Sequence, residues 1–369
     1  MKDRKFVVSR FANLVWMDGK GILVSPVTAR SIALFEDSHF ALLNRFRKPL
    51  ALSALDPEDR RLAAILIAGG MLVVADGREG RGLLQAWEPH DLNFHVLSRR
   101  PRQTACRLLG RRAPEPLFAP RTSGALLHLP RPGADQELPS RPFLEVLEGR
   151  SSTRTFAADG LTLPGLGALL FFAARSRGVA RNKQLGDTDH RSYPSGGGRY
   201  PLELCLVIPP KACADLRAGT YHYRPKEHAL ERTAEFGAAA KKMLERACLS
   251  SPPLQAERGW LLVTISARIA RTSWKYDSIA YAAILKEVGC LMQTLALTAG
   301  ALGLGTCALG SGPLDLLSRL TGVDALLEPQ VGEMVIGSPR LDHRQRSRQR
   351  VREPAERTGR RPVKRLNPR

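Results

Sequence analysis

A chain of 369 residues, 43% of them apolar, is long enough for two domains with a sizeable core and too apolar to be mainly disordered. Its formal charge of +21 suggests a nucleic-acid binder only until it is located. Residues 340–369 hold twelve Lys or Arg against three acids, and residues 99–131 hold eight Arg against Glu115, so two proline- or glycine-rich segments supply 16 of the 21 charges and no specific nucleic-acid surface is expected.

The amino terminus, Met1-Lys-Asp-Arg-Lys5, leads into no apolar stretch of signal-peptide type, and no uncharged apolar run reaches 18 residues, so a cytoplasmic chain without membrane contact is expected. Gly21 to Val27 reads as a strand. Asp37 or Ser38 can cap a helix with Phe40, Leu43 and Phe46 on one face. Asp56-Pro57-Glu58 opens a second helix, with proline in its first turn, Leu62, Ile65 and Leu66 on its apolar side, and Gly69-Gly70 at its end. Met71 to Val74, a turn at Asp76-Gly77 and Leu83 to Trp87 predict a hairpin. Two helices and a hairpin make residues 1–98 a small winged-helix-like domain, suited to structural or peptide-docking work. Arg60 and Arg61 beside Glu58 and Asp59 do not make a basic recognition helix.

Residues 99–139, rich in arginine and proline, read as an extended linker or wrapping arm. From residue 140 to 340 the pattern is that of an α+β domain. Leu163 to Ala174 is a helix, Leu204 to Ile208 and Trp260 to Ile265 are buried strands, and Ile279 to Leu302 is the longest helix, with Ile284, Val288, Leu291 and Leu295 on one face. Residues 341–369 form a basic tail for which disorder is expected. The six cysteines, Cys106, Cys205, Cys213, Cys248, Cys290 and Cys307, show no metal-ligand spacing, so no metal is expected.

Three segments carry candidate chemistry. Arg150-Ser-Ser-Thr-Arg-Thr-Phe156 sets two guanidiniums and several hydroxyls close together, which suits a phosphate, although a solvated turn ahead of a helix has the same composition. Tyr193-Pro-Ser-Gly-Gly-Gly-Arg-Tyr-Pro201 removes three successive Cβ atoms just before a strand, so the backbone can approach a flat ligand and aim its N–H groups at it; a flexible surface turn is the alternative. In Ala301-Leu-Gly-Leu-Gly-Thr-Cys-Ala-Leu-Gly-Ser-Gly312, Gly303 and Gly305 can cap the long helix, while Gly310 and Gly312 lie beyond that cap and need another reason.

In this order the three segments resemble the nitroreductase superfamily. Arg271-Thr-Ser-Trp-Lys-Tyr-Asp-Ser-Ile-Ala-Tyr281 further resembles the Lys-Tyr signature of its SagB or ThcOx-type azoline dehydrogenases. The resemblance implies a nitroreductase-like fold, with an antiparallel-rich sheet, flanking helices and a long central dimer helix, and FMN as cofactor. Arg150, Ser152 and Arg154 are implied to grip the FMN phosphate. Ser195, Gly196 and Gly197 are implied to line one side of the ring, and Leu309 and Gly310 to present backbone to it. Lys275 or Tyr276 is implied to be the base that takes a ring proton while the flavin accepts hydride, with Arg271 as a nearby cation. Cys290 departs from the family, which often has His there. The implied reaction oxidises thiazolines or oxazolines in a ribosomally made peptide, in a homodimer that works alongside a cyclodehydratase. A general NAD(P)H-dependent nitro or quinone reductase, or a non-catalytic peptide-binding scaffold, remain the alternatives.

Overall fold

The computed structural model describes residues 4–17, 19–76, 79, 82–99, 115–119, 121–122, 124–133, 141–182, 186–255, 259–276, 278–310, 312 and 314–340. The basic tail, Cys106 and most of the arginine- and proline-rich segment lie outside the described residues. The chain divides into two compact units, Met1–Cys106 with Tyr276–Ile279, and Arg107–Lys275 with Ala280–Arg369.

The first unit contains β1 (Lys5–Val8), β2 (Asn13–Met17), β3 (Lys20–Ser25), β4 (Arg30–Leu34), α1 (Asp37–Arg45), β5 (Leu50–Ala51), α2 (Pro57–Ala68), β6 (Leu72–Val74) and α3 (Pro89–Leu97). The start of α2 follows its sequence: the Asp56 side chain accepts the Asp59 N–H at 2.8 Å, and Pro57 occupies the first turn. Gly70, at φ 74°, turns the chain away where alanine would be strained. Leu66 is buried as expected, but Ile65 is exposed and Ala63 takes the inward position. The expected hairpin does not form. β6 pairs antiparallel with β1, in the order β5-β1-β6, and Gly82–Ala86 is a 3-10 turn. A partner more than sixty residues away fixes that strand, which no local pattern could announce. β2-β3-β4 make a second sheet, and the core gathers Phe6, Leu23, Leu42, Phe46, Leu66 and Leu72.

The second unit contains β7 (Leu126–His128), α4 (Phe143–Glu148), α5 (Leu163–Ala174), β8 (Gly178–Ala180), β9 (Thr188–His190), β10 (Leu202–Ile208), β11 (Gly219–Arg224), β12 (Ala229–Glu235), α6 (Ala238–Ser250), β13 (Trp260–Ala267), α7 (Ile269–Ser273), α8 (Ala280–Ala301), β14 (Gly305–Leu309), α9 (Leu314–Thr321) and β15 (Gln330–Gly337). Seven strands form one sheet in the order β14-β15-β13-β10-β11-β12-β7, antiparallel at every step. Side chains alternate across its faces, which gives two cores. Leu204, Leu206, Val263 and Ile265 pack with α5 and α8, whereas Val207, Leu262, Trp260 and Val335 pack with α6 and α9. This is the expected α+β architecture, with α8 as its longest helix.

Across β10, β11 and β12, the sheet face toward α6 and α9 carries a polar cluster to which the arm is bonded. His222 bridges Glu203 at 2.9 Å and Glu231 at 3.3 Å, and Arg268 joins Glu203 to Glu115 of the arm. Burial works against ionised Glu231, but the backbone N–H groups of Arg121 and Thr122 outweigh it and hold the carboxyl down at about 2. The described part of the arm is thus fastened by charge to the sheet. Among the described residues no cluster of His, Cys, Asp and Glu could hold a metal, and Cys205, Cys213, Cys248, Cys290 and Cys307 are free.

Candidate active site

The arginine segment is a strand-like rung rather than a turn before a helix. Ser152 bridges Thr306 in parallel and the Thr153 N–H donates to Thr306 O at 2.8 Å, so the segment meets the outer edge of β14 at its start, and from Thr155 on it runs beside residues 338–340, Phe156 bridging Pro339. Extended backbone sends alternate side chains to opposite sides. Thr153 is buried against Gly305, where a Cβ would come within 2.7 Å of it, while Arg150, Ser152 and Arg154 share the outer side. Arg154 Nε donates to Ser251 Oγ at 2.9 Å. Arg154, Phe156, Leu254, Trp260 and Arg340 line a cleft of about 120 Å³. Sites that enclose a whole small molecule run to roughly 300–1,000 Å³, so this cleft suits a phosphate and not an entire flavin. Arg340, set beside the segment by its N–H to Thr155 O, was missed in the sequence because it falls among the tail's many arginines.

The glycine loop sits at the opposite end of the sheet. β10 begins where β13 ends, Leu202 facing Ala267, and Leu309 ends β14 on the same side, facing Glu333. The arginine cleft and Gly310 are therefore separated by the length of β14, roughly 13 Å for five residues. Gly197 and Gly198 have φ of 63° and 65°, the left-handed region that favours glycine. The Gly196 N–H does not face outward as the sequence suggested; it donates to Glu287 Oε1 of α8 at 2.7 Å. The Tyr200 N–H donates to Ser195 Oγ at 2.8 Å, closing the loop. Gly303, at φ 71°, caps α8, while Gly305 starts β14 and takes no part in the cap. Gly312 is required by its own surroundings, since a Cβ would lie 2.0 Å from Gln330 Nε2. At Gly310 a Cβ would meet nothing within 4 Å, so packing within this chain does not account for that glycine.

Lys275 and Tyr276 follow α7 in a half-buried turn, the Lys275 N–H donating to Thr272 O at 3.0 Å. Arg271, singled out as a nearby cation, is a clamp. Its guanidinium donates to Arg199 O at 2.9 Å, Glu115 O at 2.5 Å and Asp187 O at 2.7 Å, and the Arg199 guanidinium lies 5.4 Å over the Trp274 ring. Burial, Arg199 and Arg268 pull Arg271 down to about 10, still charged at neutral pH. The structure thus brings the end of the glycine loop and the segment entering Lys275 together, and leaves the arginine segment at the far end of β14.

Beneath the glycine loop, burial pushes the Glu287 carboxyl up to about 7, against the Gly196 N–H, Ser195 and the charge of Arg191. Glu333, behind Gly312, is likewise pushed up to about 7 by burial, against a hydrogen bond from Gln330. Neither acid was picked out in the sequence. Glu287 had a signal: it falls on the same α8 face as the buried Ile284, Val288, Leu291 and Leu295.

An antiparallel sheet with a long covering helix, an arginine segment at one end of its edge strand and glycine loops at the other defines the class. The chain belongs to the nitroreductase family, an oxidoreductase family, whose profile matches residues 147–338. Residues 6–104 match the profile described as cyanobactin oxidase ThcOx. The chain is 28% identical to Putative nitroreductase MJ1384 of Methanocaldococcus jannaschii over 45% of its own length and 77% of that protein. It is 24% identical to the Trifolitoxin-processing protein TfxB of Rhizobium leguminosarum bv. trifolii, over 54% of this chain and 55% of that one. It is 29% identical to the Microcin B17-processing protein McbC of Escherichia coli, over 31% of this chain and 42% of that one. The chain therefore spans about half the length of the two peptide-processing relatives.

Proposed function

We propose that the protein is an FMN-dependent dehydrogenase that oxidises thiazoline or oxazoline rings of a ribosomally made peptide to thiazoles or oxazoles. The observation that supports the reading is the Arg271 clamp, which ties α7, the helix leading into Lys275, to Arg199 at the end of the glycine loop within a nitroreductase domain. A ThcOx-like stretch ahead of that domain and two relatives named for peptide processing support it. The residues present fit FMN. Arg150, Ser152, Arg154 and Arg340 would hold the phosphate end, and Ser195, Gly196, Gly197, Leu309 and Gly310 would approach the ring. When bound, FMN supplies a hydride acceptor. Lys275 or Tyr276 then takes the ring proton, and Arg271 holds their segment in place.

The cleft at Arg154 is too small for the whole cofactor, which favours a site completed by a second copy through α8. Tyr281, Leu285, Gly289 and Gln293, four residues apart, form an exposed stripe along that helix. α8 is also the one described helix long and apolar enough to cross a membrane, but Ile284, Val288 and Leu291 pack on the sheet as in a core helix. A cyclodehydratase that makes the azoline is the expected partner, and the cytoplasm the expected location.

The purified protein is expected to be yellow and to release FMN on denaturation. Lys275→Ala and Tyr276→Phe are expected to keep FMN and lose azoline oxidation by about 100-fold or more, read by the two-hydrogen mass loss of the peptide. Wild-type turnover in both variants overturns the assignment. The likeness to a nitroreductase of an archaeon favours one other reading, a general NAD(P)H-dependent reductase. Stopped-flow bleaching of the flavin by NADPH faster than by the azoline peptide would establish that reading instead.

A further inference from the structure

α8 is apolar along its buried face except at Glu287, which is 5% exposed. Its Oε1 accepts the Gly196 N–H at 2.7 Å, and its Oε2 is buried without a hydrogen-bond partner among the described residues. An ionised carboxylate in that position is expensive, and an apolar side chain of similar volume would pack there without that penalty. The acid therefore has a use that packing does not explain.

We propose that Glu287 is a positioning residue of the flavin site, which holds the glycine loop through Gly196 and takes up a proton as the flavin is reduced. The inference rests on the FMN reading above. When hydride leaves the ring carbon of the substrate for the flavin and the Lys275–Tyr276 segment takes the accompanying proton, the cofactor gains a negative charge. A carboxylate next to the loop opposes that charge, whereas a carboxyl that has drawn a proton from solvent does not. Burial has already brought this acid to about 7, where such uptake costs little.

The groups around it leave it as the proton acceptor. Arg191 acts on it with a charge committed to Asp189 at 2.8 Å, and Tyr193 is itself pushed up to about 12 by burial. α5 carries no acid or base, Glu145 and Glu148 of α4 are exposed, and Arg271 of α7 is engaged with three carbonyls. Glu203 and Glu333 lie on the other face of the sheet, since their neighbours Leu204 and Met334 belong to the core facing α8.

The test is the midpoint potential of bound FMN from pH 5.5 to 8.5, in the holoprotein and in Glu287→Gln, which keeps an oxygen for the Gly196 N–H. The two are expected to coincide at pH 5.5 and to diverge through about 7, the wild type falling more steeply and lying lower at pH 8.5. Parallel curves overturn the proposal. A second measurement needs no variant: the reduced-minus-oxidised infrared spectrum of the wild type at pH 7.5 is expected to gain a protonated-carboxyl band, and its absence overturns the proposal. A wild-type protein that binds no FMN removes the cofactor reading and this inference together, whereas bound FMN with parallel curves removes the inference alone.

Discussion

Glu333 shows how a single buried side chain couples this fold to pH. Its carboxyl is buried and raised to about 7, while an unfolded chain would ionise it at the model-peptide value of 4.5. Between those values the unfolded state loses its proton and the folded state does not, so stability fully present below pH 4.5 is lost as pH rises to about 7. The interval corresponds to on the order of 3 kcal/mol. Glu333→Gln is expected to unfold at the same urea concentration as the wild type at pH 4.5 and to be the more stable protein at pH 8. Greater stability of the wild type at pH 8 would contradict this. Glu231 works in the opposite sense. Its carboxyl is held at about 2, so the stability it contributes is present above pH 4.5 and is lost as pH falls toward 2.

At the scale of elements, α8 has a buried side facing the sheet and an outer stripe of Tyr281, Leu285, Gly289 and Gln293. α4 packs beside it with Phe143 and Leu144 at 64% and 74% exposure, more apolar surface than a lone helix pair leaves in water without a reason. A second copy covering that surface is expected to be disrupted by Leu285→Asp, which puts a charge at its centre. Sedimentation should then show a monomer with markedly reduced FMN content. A monomeric wild type with full FMN would remove the dimer from the proposal. Long periodic elements such as α2, α8, β10 and β13 were legible because their own residues determine both period and ends. β1 and β7 were not, and β6 was read as a strand but given the wrong partner, because three- and four-residue strands are fixed by partners far along the chain. The site divides in the same way. The clustering of Arg150, Ser152 and Arg154 was visible in the sequence but their extended course was not, because a bridge to Thr306 sets it; likewise the Arg271 clamp joins residues 115, 187 and 199, and only folding puts those together.

For the whole molecule, the charge of +21 is the feature whose location matters most. Among the described arginines of the arm, Arg121 pairs with buried Glu328 inside the protein, whereas Arg99 and Arg131 are exposed. An arginine satisfied in this way does not present phosphate-binding surface, and residues 341–369, where basic residues are densest, are expected to be the principal source of any attraction to nucleic acid. The full chain is expected to retain duplex DNA at low salt, with an affinity that falls by about 0.9 log units per log unit of salt for each phosphate engaged. Removing residues 341–369 should abolish that retention and leave the proposed FMN binding and azoline oxidation unaffected. A truncated protein that still binds DNA with the same salt slope would place a nucleic-acid surface on the folded units, and the charge would then have to be explained as function rather than as a property of the tail.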